Sequence, residues 1–407
     1  MNRILLLIAF PCVSFLVAAA NPSNGWLSSW TAGPQQQIGA LKRLSNQTIR
    51  AYVPLSAGGS RIRIRFSNEY GTKPLLIGTA TAALVAPDNS IQPATLQRLT
   101  FGGAASIEIP IGAPAYSDPI DLKVPASATL AVSLFLPRET LPETYHRPVG
   151  GQDNPGTPKP IAEISADGDF TAAPKLPGAA PSPYLFLTRV DVFDPRAAGV
   201  VAVMGTTRTA GPGHWPQFLA ERLNRTGRPI SIVNASLVAN PLTHPYPGGG
   251  EAGLARFDRD VLLQPGLTHV VLADSINDIG QPGLIQNGQV VVPAELPTVQ
   301  HLASAYLQLT ARAKAQGVKV IAATVMPFEG VPFAGFYSPE KEKLRLALNE
   351  WIRASKAFDG IIVLDAIMRD PKHPSTFLPD LHTANNFAPN DAGEHRIANA
   401  IDLKLFR

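Results

Sequence analysis

The sequence has almost no cysteine, which excludes a disulfide framework. Its single cysteine among 407 residues, Cys12, lies in an apolar opening stretch, and the preceding Ala9-Phe10-Pro11 does not resemble a lipoprotein box. A chain without further thiols has neither disulfides nor a cysteine-based metal site. We therefore expect the mature chain to be stabilised by packing alone.

Charged residues are scarce too, at 16% of the chain, with a formal net charge of +4. No basic block of the kind that binds nucleic acid is present, and no apolar run after residue 20 is long enough to cross a membrane. The run Gly248-Gly249-Gly250 lacks the lysine of a phosphate-binding loop. No His/Asp/Glu spacing is typical of a metal site. The sequence thus predicts no nucleic-acid partner, no integral membrane segment once a signal is removed, and neither metal nor cofactor.

The first twenty residues are typical of an export signal. Arg3 provides the positive start, residues 4–17 an apolar run, and Ala18-Ala19-Ala20 a small-residue cleavage site. A membrane anchor is the alternative, but Pro11 interrupts the run and the run is short for a span. We expect a signal peptide over residues 1–20 and a secreted or periplasmic protein.

Residues 21–195 predict an all-β domain. Residues 61–66 alternate polar and apolar side chains with the period of a half-buried strand. Many short strands separated by glycine-rich turns favour a sandwich or jelly roll, with a long irregular segment over residues 153–183. The other predicted strands cover residues 48–53, 75–82, 106–111, 129–136 and 184–193.

Residues 196–407 predict an α/β domain, because strand and helix patterns alternate there. Such alternation is typical of a parallel sheet covered on both faces. The predicted strands cover residues 199–204, 230–235, 268–273, 318–324 and 360–364, and the predicted helices cover residues 214–223, 251–262, 297–315, 339–357 and 391–406.

The turn after the first of these strands, residues 205–211, is the predicted floor of a site. In open α/β sheets the ligand crevice lies at the carboxyl ends of the strands, and a strand-to-helix turn directs backbone N–H groups at its occupant. Three other loops are candidates to complete the site: residues 234–240, 274–280 and 385–393.

Several stretches together resemble the SGNH (GDSL-type) hydrolases, in a secreted branch with an N-terminal β domain. They are Trp26-Leu27-Ser28-Ser29-Trp30, residues 62–71, residues 255–262, Ile276-Asn277-Asp278-Ile279-Gly280 and Pro389-Asn390-Asp391-Ala392-Gly393. The resemblance implies a flavodoxin-like, three-layer parallel sheet. It also implies hydrolysis of carboxylic esters, such as acetyl or acyl groups on carbohydrates or lipids, by serine acyl transfer.

The resemblance assigns roles to positions around the turn. The family's Gly-Asp-Ser corresponds to Gly205-Thr206-Thr207, so Thr207 holds the nucleophile position. Ser236 holds the position of a backbone oxyanion donor, and Asn277 that of the oxyanion side chain, although Ser275 replaces a family glycine. The pocket lining is expected to comprise Gly205, Thr206, Asn240, His244 and Asp278.

The family's acid and base positions are changed as well. The matching residues are Asn385 at the Asp position and Ala388 at the His position. A hydroxyl is a weak nucleophile until a base takes its proton, and loss of a triad member costs several powers of ten in rate. His382 is a possible substitute base, with Asp380 or Asp278 behind it, and His244 is another.

Three hypotheses follow. The first is a weakly active or inactive hydrolase relative that binds a small ester, glycan or lipid in the vestigial cleft. The second is a divergent ester hydrolase with Thr207 as nucleophile and His382 or His244 as base. The third is a non-catalytic module that binds glycan or protein through its N-terminal domain.

Overall fold

The computed structural model describes residues 24–39, 41–147, 160–206, 209, 213–227, 229–273, 275–384 and 386–407. The predicted signal peptide, the predicted nucleophile position Thr207 and the predicted acid position Asn385 lie outside the described residues.

The first region is built of antiparallel strands, as the alternating pattern predicts. Its strands are β1 (Trp26–Thr31), β2 (Gln35–Gln36), β3 (Gln47–Pro54), β4 (Ile62–Ser67), β5 (Leu75–Ile77), β6 (Thr79–Leu84), β7 (Gln97–Arg98), β8 (Ile107–Ile109), β9 (Pro114–Tyr116), β10 (Thr129–Leu136), β11 (Thr144–His146), β12 (Ala162–Asp167), β13 (Ala180–Pro181), β14 (Tyr184–Leu185) and β15 (Leu187–Phe193). A short 3-10 helix covers Pro93–Thr95.

Two sheets form most of this region. One has the order β1-β15-β4-β9 and the other β13-β12-β3-β10-β6-β7. Ile62, Ile64 and Phe66 on β4 are fully buried, whereas the alternate residues Arg63 and Arg65 are only half-buried. The period-two prediction is therefore confirmed for this strand.

The segment predicted to be irregular, residues 153–183, instead contains β12. Ala162 and Ile164 pair with Ala51 and Ile49 of β3 in the middle of the six-stranded sheet. The prediction was wrong here because the proline-rich and glycine-rich flanks masked a short strand whose partner lies far away in sequence.

The second region contains a five-stranded parallel sheet with helices between its strands. Its strands are β16 (Gly199–Gly205), β17 (Ile230–Asn234), β18 (Leu267–Ala273), β21 (Lys319–Ala323) and β22 (Gly360–Ile362), with a small hairpin of β19 (Ile285–Gln286) and β20 (Gln289–Val290). Its helices are α1 (Trp215–Asn224), α2 (Gly253–Phe257), α3 (Ile276–Gly280), α4 (Val299–Lys314), α5 (Pro339–Ala354), α6 (Leu364–Met368) and α7 (Asp391–Ala400).

The strand order β17-β16-β18-β21-β22 confirms the predicted flavodoxin-like sheet. Alternate residues of β16 enter two different cores. Ala202 packs in the cluster that contains α4 and α5 residues, whereas Val201 and Val203 pack with α1 and α7 residues. Helices therefore cover both faces, which gives three layers. Trp215 of α1 is fully buried against the sheet.

Two helices differ in extent from the sequence-based expectation, and the last α-helix ends at Ala400 and not at residue 406. The last helix begins at Asp391, as predicted, and is capped by Asn390, whose Oδ1 accepts from Gly393 N at 3.0 Å. The helix predicted over residues 251–262 is α2 followed by a π-helical turn, Asp258–Leu262.

The edge strand β17 is covered by the first region. Ile232 N donates to Ser56 Oγ at 2.6 Å, and Ser231 Oγ donates to Ser28 O at 2.6 Å. Since an open strand edge is a template for pairing with another chain, the β region protects the α/β sheet at this edge.

Candidate active site

The predicted site lies where the strand order reverses, between β16 and β18. Gly205 ends β16 and pairs with Ala273 at the end of β18. A Cβ on Gly205 would lie 2.3 Å from Thr209 Oγ1 and 2.9 Å from Ala273 O. Gly205 is therefore required for close approach of the neighbouring turn, and its crevice is where open α/β sheets bind ligands.

Asn277 and Thr206 meet in this crevice. Asn277 lies on α3, is buried, and donates through Nδ2 to Thr206 Oγ1 and to Asn240 O at 3.1 Å. Both N–H groups of the amide are thus engaged within the protein. An oxyanion that binds here has to share or displace one of these contacts.

Asn240 is fully buried and is held by a network of hydrogen bonds. Its Nδ2 donates to Gly249 O at 2.8 Å and Glu251 O at 2.6 Å, and its Oδ1 accepts from Arg256 Nε at 2.9 Å. Arg256 also donates to Ala235 O at 2.6 Å and forms an ion pair with Asp260 at 3.3 Å. A guanidinium behind the site therefore fixes the carbonyl that orients Asn277.

The predicted oxyanion donor Ser236 lies at the adjacent strand end. Its N–H donates to Asn234 Oδ1 at 3.1 Å, so this backbone donor is engaged in the structure. Its Oγ lies 2.9 Å from Thr209 Oγ1, which in turn lies 2.9 Å from Thr206 O. The structure thus brings Gly205, Thr206, Ser236, Asn240 and Asn277 together as a buried polar floor.

The predicted base position carries no titratable group. Ala388 is buried, and its backbone forms a local turn in which Thr383 N donates to Ala388 O at 2.8 Å. His382 precedes this turn, and its Nδ1 lies 2.8 Å from Thr383 O. A nitrogen facing a carbonyl must carry the proton, so Nε2 is the lone-pair nitrogen of neutral His382.

Among the described residues no carboxylate pairs with His382, so the possible relay through Asp380 or Asp278 is not formed in the structure. The described contacts of Asp380 run through its backbone carbonyl, which accepts from Asn390 Nδ2 at 2.8 Å. Asp278 instead accepts from Leu242 N at 2.7 Å and from Thr243 N at 2.9 Å. The Asp278 carboxylate therefore anchors the loop at Leu242 and Thr243, and a backbone carbonyl orients the His382 imidazole.

His244 lies at the edge of the pocket beside Asp278. Its Nδ1 is 3.9 Å from Asp278 Oδ1, and 40% of its side chain is exposed. Burial raises the pKa of the Asp278 carboxyl, and hydrogen bonds from Thr243 and Leu242 oppose that rise. Asp278 therefore acts as the anchor of the loop that carries His244.

A buried imidazole–carboxylate pair escaped the sequence-based prediction. His214 Nδ1 lies 2.7 Å from Glu394 Oε1, and Glu394 Oε2 accepts from Trp215 N at 2.8 Å. Among the described residues this is the only histidine within 3 Å of a carboxylate. The partners lie 180 positions apart, and no sequence pattern links them. The pair closes the start of α1, which follows the predicted nucleophile position Thr207 in the sequence.

Two classes of site are not found in the described ranges. They contain no group of three or more His, Cys, Asp or Glu side chains placed to hold a metal ion. None of their helices combines the length and apolar character that a membrane crossing requires.

Comparison with known proteins identifies one family. Residues 200–396 match the family described as GDSL-like lipase/acylhydrolase. No curated protein matches the chain.

Solved structures are similar at low identity. A lipolytic protein from Desulfitobacterium hafniense shares 17% identity, covers 49% of this chain and 96% of its own, and has a TM-score of 0.37. An acylhydrolase from Bacteroides fragilis shares 16%, covers 52% and 92%, and has a TM-score of 0.39. A GDSL-like lipase from Bacteroides thetaiotaomicron shares 17%, covers 51% and 87%, and has a TM-score of 0.38. These values are too low for any of the three to indicate an activity for this chain.

Proposed function

We propose that this chain, whose residues 200–396 belong to the GDSL-like lipase/acylhydrolase family, is an exported relative that binds a small ester-like ligand and hydrolyses it weakly or not at all. Export is supported by the signal-like composition of residues 1–20.

The observation that carries the proposal is the buried alanine at the base position. Ala388 offers no proton acceptor, and its backbone is engaged by Thr383. Without a base, a threonine hydroxyl at position 207 keeps its proton and remains a poor nucleophile. Loss of a triad member lowers kcat by several powers of ten, and the remaining rate derives from binding and oxyanion stabilisation.

Ligand binding is supported by the polar floor that remains. Thr206, Ser236 and Asn277 offer hydroxyl and amide groups within a few ångströms of each other at the end of the sheet. A small carbonyl ligand, such as an acetyl or short acyl ester on a sugar or lipid, can accept the hydrogen bonds that these groups now donate to one another.

The buried pair His214–Glu394 favours one second candidate, an active ester hydrolase with a rebuilt proton relay. Glu394 fixes the imidazole through Nδ1, which leaves Nε2 as the proton acceptor, as the triad logic requires of a base. In this candidate a hydroxyl of the turn, with Thr207 as first choice, is the nucleophile.

A chromogenic acetyl-ester assay on the full chain distinguishes the two candidate functions. The first candidate predicts a rate at or barely above the buffer background, and Thr207→Ala should not lower it measurably. It also predicts binding of a non-hydrolysable ester analogue that is weakened by Asn277→Ala. The combined variant Thr207→Ser, Asn385→Asp and Ala388→His is expected to raise activity by restoring the family's relay.

The second candidate predicts turnover that Thr207→Ala and His214→Gln both abolish. His395→Gln is the matched control, because His395 is exposed on α7 next to Glu394. Turnover lost in both variants and kept in the control would overturn the first candidate. A background rate, together with no binding of the analogue, would overturn both.

A further inference from the structure

A cleft of about 80 Å³ lies between the two regions, on the α1 side of β17. Trp30, His146 and Tyr184 line it from the β region, and Gln217, Glu221 and Asn234 line it from the α/β region. At ~10–15 Å³ for each water, this volume holds roughly five to eight water molecules. The space that they occupy is comparable to that of one sugar ring.

The cleft has an aromatic wall. Trp30 and Tyr184 form an edge-to-face pair with ring centroids 5.0 Å apart, and the His146 ring lies 6.2 Å from Tyr184. Tyr184 is fully buried, and its hydroxyl donates to Tyr52 O at 3.1 Å, so Trp30 is the ring that keeps exposed surface. An aromatic face of this kind packs against the apolar C–H face of a flat ligand.

His146 supplies a buried acceptor. The residue is 5% exposed, and its Nδ1 lies 2.9 Å from Gly33 O, so Nδ1 carries the proton. Its Nε2 makes no hydrogen bond to a described residue. Burial lowers the pKa of His146 to about 4, which keeps the ring neutral and Nε2 an acceptor at physiological pH.

Glu221 and Gln217 supply polar groups from one face of α1. The Glu221 carboxylate is half-buried and makes no ion pair or hydrogen bond to any described residue. The Gln217 Oε1 accepts from Gly213 N at 3.0 Å, and its Nε2 has no partner among the described residues. Half-buried polar groups without partners gain hydrogen bonds from a ligand that reaches them.

We propose that this cleft is a binding site for one neutral sugar ring, held by Trp30, His146, Gln217 and Glu221. A sugar presents hydroxyl donors to the carboxylate and the imidazole, and a hydroxyl acceptor to the glutamine amide. An anion is disfavoured by the Glu221 carboxylate, which lines the cleft and forms no ion pair with a described basic side chain. Quaternary ammonium ions are recognised by cages of several aromatic faces, whereas Trp30 is the one aromatic ring of the cleft that keeps exposed surface.

The site stands apart from the polar floor and does not require ester turnover. Asn234 connects the two, because it lines the cleft while its Oδ1 accepts from Ser236 N at 3.1 Å. A sugar in the cleft would therefore lie beside the candidate active site without occupying it.

The test is calorimetry and saturation-transfer NMR on the full chain with methyl β-D-glucopyranoside and methyl β-D-xylopyranoside, and with choline as the cationic probe. We expect millimolar binding of at least one glycoside and none of choline. Glu221→Ala and Gln217→Ala, both on the surface of α1, are each expected to weaken binding by about tenfold, as loss of one good hydrogen bond does.

Glu350→Ala is the matched control, because Glu350 is an exposed glutamate of α5 far from the cleft in the sheet order; its affinity should equal that of the wild type. Absence of glycoside binding, binding unchanged by Glu221→Ala, or binding of choline in place of the glycosides would each overturn the proposal. Failure of the ester assays leaves these outcomes unaffected.

Discussion

Replacing Arg256 by methionine tests whether a buried guanidinium holds the loop that orients Asn277. The side chain of Arg256 is fully buried and its loss leaves Asn240 Oδ1 and Ala235 O without these donors. Breaking a buried ion pair costs about 3–5 kcal/mol. Asp260 retains Arg259, whose Nε lies 2.7 Å from Oδ1, so we expect the lower end, about 3 kcal/mol.

Thermal unfolding followed by circular dichroism measures this loss. For a domain of 150–250 residues, 1 kcal/mol shifts Tm by about 2–4 °C, so we expect Tm to fall by about 6–12 °C. Arg312→Met is the matched control, because its ion pair with Asp258 at 2.7 Å is 30% and 61% exposed and should contribute less than about 1 kcal/mol. Equal losses in the two variants would refute the reasoning.

Three further changes have defined outcomes. Ser56→Ala removes the acceptor of Ile232 N–H and is expected to cost about 1–3 kcal/mol and to speed hydrogen exchange at that amide. Burial lowers the pKa of Lys341 from 10.5 to about 8. Between pH 8 and 10.5 the unfolded chain therefore binds the lysine proton more tightly than the folded chain does. The free energy of unfolding consequently rises with pH across this range. Urea unfolding should show this rise in the wild type and not in Lys341→Met. Glu394→Ala removes the carboxylate that accepts from Trp215 N and is expected to cost about 1–2 kcal/mol, measured by urea unfolding.

Each change has its own control. Ser127→Ala alters an exposed serine and should leave exchange at residue 232 as in the wild type. Lys343→Met alters an exposed lysine of α5 and should keep the pH-dependent rise; a loss there as well would assign the rise to another group. Glu394→Gln keeps an acceptor for the backbone N–H, so a cost equal to that of Glu394→Ala would contradict the capping role.

The sequence predicted the α/β region well because its signals are local. The buried strands and amphipathic helices each carry their own period, and Thr298 and Ser338 mark two helix starts by accepting from backbone N–H groups three residues later. The strand Ala162–Asp167 escaped because its stability comes from pairing with β3 and not from its own composition.

The same difference between local sequence signals and contacts over long sequence distances applies to the candidate site. Gly205, Thr206 and Asn277 could be proposed from the sequence because each follows a buried strand or belongs to a recognisable motif, and the structure places Thr206 and Asn277 in contact. The pair His214–Glu394 and the cleft beside Trp30 were not found, because their members come from distant parts of the chain. His382, named only as a possible base with Asp380 or Asp278 behind it, is oriented instead by the backbone carbonyl of Thr383, and such a contact leaves no signal in the sequence.

The covering of Ile230–Asn234 by Ser28 and Ser56 has a consequence for dissecting the molecule. A fragment that starts at residue 196 would expose the outer backbone amides of this strand to solvent. Copies of the fragment would then associate through that open edge. The halves are thus interdependent for solubility, and expression trials should keep them in one polypeptide.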